Sequence, residues 1–129
     1  MKDDEIALVA ENCEEKYYPG GNTILIENAP GKGLFLIRSG AVAINKKGPG
    51  LPEKRIAVLK ENDFFGEMSL VDKSPVSASV AAAVDSALAY ISREKFEHLI
   101  TAHPVISSKL LLAVAQVLSK RLRQADERI

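Results

Sequence analysis

Short apolar runs separated by turn signals fill residues 17 to 91 of the chain. The runs are rich in Val, Ile, Leu, Ala and Tyr, and Gly, Pro, Asn or Asp residues stand between them. They occupy residues 17–18, 23–26, 34–37, 41–44, 55–59, 76–84 and 87–91. Many short strands at regular spacing are typical of a sandwich or barrel, so this feature predicts a mainly β fold.

The run at residues 76–84 alternates strictly between two sets of positions. The two sets are Val76, Ala78, Val80, Ala82 and Val84, and Ser77, Ser79, Ala81 and Ala83. A period of two predicts a strand with one set of side chains facing the core. Residues 34–37, in contrast, are apolar throughout, which predicts a strand that is buried on both faces.

Helices are predicted at both ends of the chain. Apolar residues spaced three and four apart predict an N-terminal helix over residues 3–16. Ser92 is placed to cap a second helix, and Pro104 suits the first turn of a third helix that runs to about Glu127. The chain is therefore predicted to be mainly β with flanking helices.

The last predicted helix carries two apolar stripes. One consists of Leu111, Val114, Ala115, Leu118 and Leu122, and the other of Ile106, Leu110, Ala113 and Val117. Two stripes are more apolar surface than one contact needs. We therefore expect one stripe to pack on the domain and the other to meet a second copy of the chain in a homodimer. The alternative is that both stripes cover the β domain.

Composition narrows the classes of function. A chain of 129 residues suits one domain, and a formal net charge of zero gives no reason to expect nucleic acid or an anionic membrane as partner. Cys13 is the single cysteine, so we expect no internal disulfide and a reducing, cytoplasmic setting. The first residues are acidic and no apolar run reaches the length of a membrane span, so we expect neither a signal peptide nor a membrane anchor.

Catalytic residues are not expected. A metal oxygenase built on a β-roll needs clustered histidines on its strands, whereas His98 and His103 are the two histidines and both lie in the helical end. No nucleophile with a suitable base and no phosphate-binding Walker loop is found in the sequence. We therefore predict no enzyme activity, no catalytic or metal-binding residue and no cofactor.

Residues 62–80 connect two strand-like runs and contain Gly66-Glu67. The residues that follow can form one helical turn, which would present several backbone N–H groups in one concavity. Such an arrangement suits an anion.

Two halves of this stretch, Phe65-Gly66-Glu67-Met68-Ser69-Leu70 and Pro75-Val76-Ser77-Ala78, resemble the phosphate-binding cassette of the cyclic nucleotide-binding domain family. This family includes catabolite activators and the regulatory subunits of protein kinase A. Residues 19–26, 31–40 and 91–96 are also similar to the family, and the resemblance covers roughly residues 15–120.

The resemblance implies a specific fold. It is a β-roll (a double-stranded β-helix, jelly-roll-like) over residues 17–91, with the cassette at 64–78 and a short helix within the cassette. An N-terminal helix at 1–16 and two C-terminal helices at 92–128 complete a stand-alone single domain, 1–129. The catabolite activators carry a helix-turn-helix domain after the long helix; here the chain stops at Ile129, so we expect no DNA-binding element in it.

The resemblance also implies a ligand, cyclic AMP or cyclic GMP, and a set of binding residues. Glu67 would accept a hydrogen bond from the ribose 2′-hydroxyl, Met68 and Ser69 would offer main-chain N–H groups, and an arginine of the last helix would cover the base. The full set is Phe65, Gly66, Glu67, Met68, Ser69, Val76, Ser77 and Arg121.

Val76 departs from the family pattern, because the family has at this position the arginine that pairs with the cyclic phosphate. Charge-assisted hydrogen bonds contribute about 1.5–3 kcal/mol each, so their loss predicts weak or altered binding by a regulatory or sensor module. Lys73 and Arg38 are weaker candidates for a replacement cation. The alternative is a module for dimerisation or protein interaction that keeps the fold and binds no nucleotide.

Overall fold

The computed structural model describes residues 9–71 and 74–127, with the side chains of residue 71 and residues 125–127 left aside. The chain divides into two compact units. The β unit is Cys13–Arg93, and the helical unit comprises the described residues that precede and follow it. The assignment of residues 1–129 to one domain stays a prediction.

The β unit contains two four-stranded antiparallel sheets. One sheet has the order β1-β8-β3-β6 and the other the order β2-β7-β4-β5. The strands are β1 Glu14–Tyr18, β2 Thr23–Leu25, β3 Gly33–Ser39, β4 Ala41–Lys47, β5 Glu53–Lys60, β6 Phe64–Phe65, β7 Ser79–Ala82 and β8 Ser86–Ser92. The prediction of a mainly β fold of the β-roll type is confirmed.

One apolar core joins the two sheets. Its buried side chains come from strands of both sheets and are Ile24, Leu25, Phe35, Ile37, Val42, Phe65, Val80, Ala82 and Leu88. The rings of Phe35 and Phe65 stack with centroids 4.9 Å apart and planes 3° apart. This stack fixes the beginning of the cassette on β3.

The alternating run at residues 76–84 forms a shorter strand than the sequence predicted. Only Ser79–Ala82 is strand, although Ala78 is buried together with the inward residues of β7. Val84 is 53% exposed, because the chain turns after Ala82 and the Asp85 carboxylate accepts the N–H of Gly20 at 2.8 Å. The period holds for burial from Ala78 to Ala82, and the predicted length was wrong at both ends.

The apolar run of β3 is not buried on both faces along its whole length. Leu34, Phe35 and Ile37 are buried, whereas Leu36 is 38% exposed. Alternate side chains of a strand point to opposite faces, so Leu36 points away from the shared core while Phe35 and Ile37 point into it.

The predicted N-terminal helix over residues 3–16 is wrong in its last part. Residues 9–11 are helical, and the N–H of Asn12 donates to the carbonyl of Val9 at 3.1 Å. Residues 14–18 then form β1, which pairs with β8 along its whole length. Tertiary pairing outweighs the local helical period here. Residues 3–8 lie outside the described part of the chain.

Three helices are described besides residues 9–11: α1 Met68–Val71, α2 Arg93–Ala102 and α3 Pro104–Glu127. The predicted break at His103-Pro104 is confirmed, with Pro104 as the first residue of α3. The predicted end at residue 128 lies outside the described residues. Within the described ranges, no helix combines the length and apolar character that crossing a membrane requires.

The apolar residues of α3 divide differently from the two predicted stripes. A half-buried face consists of Ile106, Leu110, Leu111, Val114 and Arg121, with Ser107 buried among their positions. Leu112 and Leu122 are 60% and 64% exposed, and Leu118 is 37% exposed. Each predicted stripe therefore contains both half-buried and exposed residues.

Neighbouring residues of β3 allow a matched test of the core. Ile37→Ala removes a fully buried side chain and is expected to lower the free energy of unfolding by about 2–5 kcal/mol. Leu36→Ala removes the same number of carbon atoms from an exposed position and is expected to cost less than about 1.5 kcal/mol. Urea unfolding followed by circular dichroism measures both, and equal losses would contradict this orientation of β3.

Candidate functional site

A glycine holds the turn between β6 and α1. Gly66 has a φ of 81°, which is in the left-handed region that favours glycine. A Cβ atom at this position would also collide with the carbonyl oxygen of Gly33 on β3. The turn therefore requires glycine for two independent reasons, and it sets the position of Glu67 at the start of α1.

Internal hydrogen bonds close this turn. The Ser69 hydroxyl donates to the Gly66 carbonyl at 2.7 Å, and the Ser69 N–H donates to the same oxygen at 3.2 Å. The Leu70 N–H donates to the Glu67 carbonyl at 3.0 Å. The main-chain N–H that Ser69 was predicted to offer to a ligand is thus engaged in stabilising the turn, together with its hydroxyl.

The other residues of the first half of the cassette face different surroundings. The Phe65 ring is buried in the core stack, and the Met68 side chain is 52% exposed. The Glu67 side chain is half-buried and makes no hydrogen bond or ion pair with another residue of the described ranges. Since an ionised carboxylate is acceptor-only, Glu67 is available to accept from a ligand hydroxyl.

The second half of the cassette is attached to the loop after β2. The Asn28 N–H donates to the Val76 carbonyl at 2.8 Å, and the Val76 N–H donates to the Ala29 carbonyl at 2.9 Å. The half-buried Val76 side chain packs against the core. Val76 is therefore an apolar support of the roll, and it offers no side-chain donor to an anion.

Loop 28–33 brings the two halves of the cassette together. Its beginning is hydrogen-bonded to Val76, and its end approaches the first half closely enough that a Cβ atom at Gly31 would touch the Ser69 side chain. Residues 66–69 and 76–77 are consequently placed around one loop.

A polar cluster beside the cassette was missed by the sequence analysis. The Lys46 ammonium donates to the Ser77 carbonyl at 2.6 Å and lies 3.2 Å from Glu27 Oε1. Glu27 Oε2 accepts the N–H of Lys47 at 3.1 Å, and the Glu27 N–H donates to the hydroxyl of Ser79 at 2.9 Å. Val42, Ile44 and Lys46 alternate along β4, so the sequence could have placed Lys46 on the face that carries the core residues. No sequence signal pairs Lys46 with Glu27.

The electrostatics of this cluster favour the charged form of Glu27. The hydrogen bond from the Lys47 N–H lowers the pKa of Glu27 most, and the hydrogen bond from Lys46 lowers it further. Burial acts in the opposite direction, and the charge of Lys46 adds to the lowering. Glu27 is thus an ionised partner that holds Lys46 in place.

The remaining predicted residues differ in position and exposure. Ser77 is exposed, and Arg38 is exposed on β3. Arg121 is a half-buried residue of α3 and belongs to the helical unit, so its role against a base stays a prediction. Lys73 lies outside the described residues. Within residues 9–71 and 74–127, no group of three His, Cys, Asp or Glu side chains is arranged to hold a metal ion.

Comparison with known proteins gives consistent matches. A family model described as cyclic nucleotide-binding domain matches residues 15–103. The cyclic AMP receptor protein of Thermus thermophilus is 34% identical over 123 residues, which cover 95% of this chain and 55% of that protein. The cAMP-dependent protein kinase regulatory subunit of Aspergillus fumigatus is 37% identical over 100 residues, which cover 78% of this chain and 24% of the subunit.

Solved structures agree with these matches. A cyclic nucleotide-binding domain from Methylobacillus flagellatus has a TM-score of 0.94 and 29% sequence identity to this chain, covering 100% of this chain and 72% of its own. The chain spans about half the length of its Thermus thermophilus relative.

The ionised Glu27 makes stability depend on pH in one direction. The pKa of Glu27 is lower in the folded than in the unfolded chain. Its contribution to the free energy of unfolding is therefore present above the unfolded pKa of about 4.3, and it disappears as the pH falls through the folded pKa. Glu27→Gln is therefore expected to lower the melting temperature at pH 7 and to leave it nearly unchanged at pH 3. Glu61→Gln, which removes the same charge from an exposed loop, is the control. If Glu27→Gln lowered the melting temperature equally at pH 7 and pH 3, the pairing of an ionised Glu27 with Lys46 would be contradicted.

Proposed function

Because the chain belongs to the cyclic nucleotide-binding domain family, we propose that it is a regulatory module that binds a cyclic nucleotide at residues 64–78, with an affinity that Val76 lowers or alters. The observation that carries this proposal is the closed turn at Gly66, which leaves the Glu67 carboxylate half-buried and without a partner among the described residues. An ionised carboxylate is acceptor-only, so Glu67 can accept a hydrogen bond from a ligand hydroxyl.

The names of the relatives favour cyclic AMP over cyclic GMP as the ligand. The two relatives above are named as a cyclic AMP receptor protein and as a regulatory subunit of a cAMP-dependent kinase. In the proposed complex Glu67 accepts from the ribose 2′-hydroxyl. The main-chain N–H groups that approach the phosphate are those of the cassette other than Ser69, Leu70 and Val76, which are engaged within the protein. Gly66 permits this approach because it has no side chain.

Val76 sets the expected strength of binding. Each charge-assisted hydrogen bond that an arginine would make contributes about 1.5–3 kcal/mol, so losing one weakens binding by about tenfold to hundredfold. Val76 also places apolar surface beside the site, which disfavours an unpaired anion there. We therefore propose binding that is weaker than that of family members with the arginine.

The proposed role is that of a sensor and not of a catalyst. A ligand regulates only if it binds one arrangement of the protein more tightly than another, so the cassette is proposed to couple ligand binding to the arrangement of the helices. The proposal contains no catalytic step. The cytoplasmic setting expected from Cys13 also stays a prediction.

Calorimetric titration with cyclic AMP and cyclic GMP tests this function. We expect saturable but weak binding of cyclic AMP to the unmodified chain, and an affinity at least tenfold higher for Val76→Arg, because a guanidinium can pair with the phosphate in a bidentate manner. Val76→Leu, which changes size without adding charge, is the matched control. Absence of saturable heat in both the unmodified chain and Val76→Arg would contradict the proposal.

A second proposed function is self-association through α3, and it is favoured by the exposure of Leu118 and Leu122, which lie one turn apart on the same side of the helix. Exposed leucines repeated along one helix are typical of a surface that packs against another helix. In the alternative proposal, the chain acts as a dimerisation or protein-interaction module without a nucleotide. The dimer itself is compatible with both proposals.

Leu118→Asp tests the dimer. The unmodified chain is expected to sediment at about twice its 14.0 kDa mass, and Leu118→Asp at the mass of one chain, because a buried aspartate between two helices would lose its hydration. Leu122→Asp repeats the test at a more exposed position, and Gln116→Asp adds the same charge on a different side of α3. An unchanged mass in both leucine variants, or a monomeric unmodified chain, would contradict the dimer.

A further inference from the structure

Lys46 occupies the inner side of β4 at the end nearest the cassette. Val42 lies in the core and Ile44 packs against it. Alternate residues of a strand share a face, so Lys46 continues the same row toward the rim of the roll. The register with β7 pairs Ile44 with Val80 and Asn45 with Ser79, and it directs Lys46 toward residues 77–78.

The Lys46 ammonium has a defined position. It is held at 2.6 Å by the Ser77 carbonyl and at 3.2 Å by Glu27 Oε1. Ser77 directly follows Val76, the position at which the family has an arginine. The ammonium therefore contacts the residue that is next to this position in the sequence. A lysine ammonium has three donors, and these partners use two of them. The side chain is 50% exposed, which leaves the third donor open to an incoming group.

The local charge favours an anion. Lys54 lies opposite Lys46 in the register of β4 and β5, and directly opposite residues of an antiparallel pair share a face. Two lysines therefore stand on this side of the hairpin, and Glu27 is the carboxylate paired with one of them. Glu27 is itself anchored by the N–H of Lys47, which keeps it in place as a positioning group for Lys46.

We propose that Lys46 supplies to the phosphate of a bound cyclic nucleotide the positive charge that Val76 cannot. This inference rests on the proposed function and adds the residue that would make it possible. Lysine acts as a point charge and arginine as a planar bidentate donor. A phosphate contact made by Lys46 therefore has a different geometry and a lower strength than one made by the arginine of the family pattern. Glu27 and the Ser77 carbonyl position the ammonium, and neither needs to leave it when the phosphate binds.

Calorimetric titration of Lys46 variants with cyclic AMP and with adenosine tests the inference. Adenosine presents the same base and the ribose hydroxyl without the phosphate. Lys46→Met is expected to weaken cyclic AMP binding by about tenfold and to leave adenosine binding unchanged, because only the charged contact is removed. Lys46→Arg is expected to retain most of the affinity for cyclic AMP.

Lys47→Met is the matched control, because it removes the same charge from the next residue of β4, whose side chain points to the other face. In a Val76→Arg background the loss caused by Lys46→Met is expected to shrink to less than about threefold, since the introduced guanidinium takes over the phosphate. Thermal unfolding verifies that each variant is folded, and Lys46→Gln repeats the measurement should Lys46→Met not fold.

The outcomes separate this inference from the proposed function. Cyclic AMP binding that is unchanged by Lys46→Met, or an equal loss for adenosine, would overturn the role of Lys46 and leave the proposed function intact. A lysine that only ties β4 to Ser77 would give the second result, because a structural defect does not distinguish the two ligands. No saturable binding of cyclic AMP to the unmodified chain would overturn the role of Lys46, and its absence in Val76→Arg as well would overturn the proposed function.

Discussion

The stacking of Phe65 on Phe35 is the contact on which the rest of the β unit depends. It joins the short strand β6 to the central part of β3, and Phe35 also lies 4.7 Å from the ring of Tyr90 on β8. Because Phe65 immediately precedes Gly66, the same contact that completes the core also fixes the entry to the cassette. Aromatic pairs of this kind contribute about 0.5–1.5 kcal/mol beyond their buried area, so the candidate site is held by the stability of the core itself.

Close backbone approach gives the site its shape. Gly66 and Gly31 have no side chains where β3 and α1 come near them, and loop 28–33 is thereby in reach of both halves of the cassette. The hydroxyl and the N–H of Ser69 are engaged within the turn, whereas the half-buried Glu67 carboxylate makes no hydrogen bond with another described residue. This turn therefore presents an acceptor that a ligand hydroxyl could use, as the proposed function requires.

In the proposed site, Val76 and Lys46 divide between them the packing and the charge that a single arginine provides in the family pattern. Val76 packs its side chain against the core, and Lys46 brings a charge to the neighbouring carbonyl from a different strand. A lysine held by Glu27 is a weaker and less directional partner for phosphate than an arginine would be, which fits a module of modest affinity.

The sequence by itself determined the elements whose signals are local. The alternating burial of Ala78, Val80 and Ala82, the helix break at Pro104 and the turn at Gly66 follow from side-chain period and backbone preference, and they were predictable. The tertiary structure decided what depends on distant partners. Residues 14–16 form a strand because they pair with residues of β8. Leu36 is exposed because of the orientation of β3. Lys46 contacts Glu27 and Ser77, which are distant from it in the sequence. Local propensities are too weak to specify such pairings, because burial and long-range hydrogen bonds contribute most of the energy that selects them.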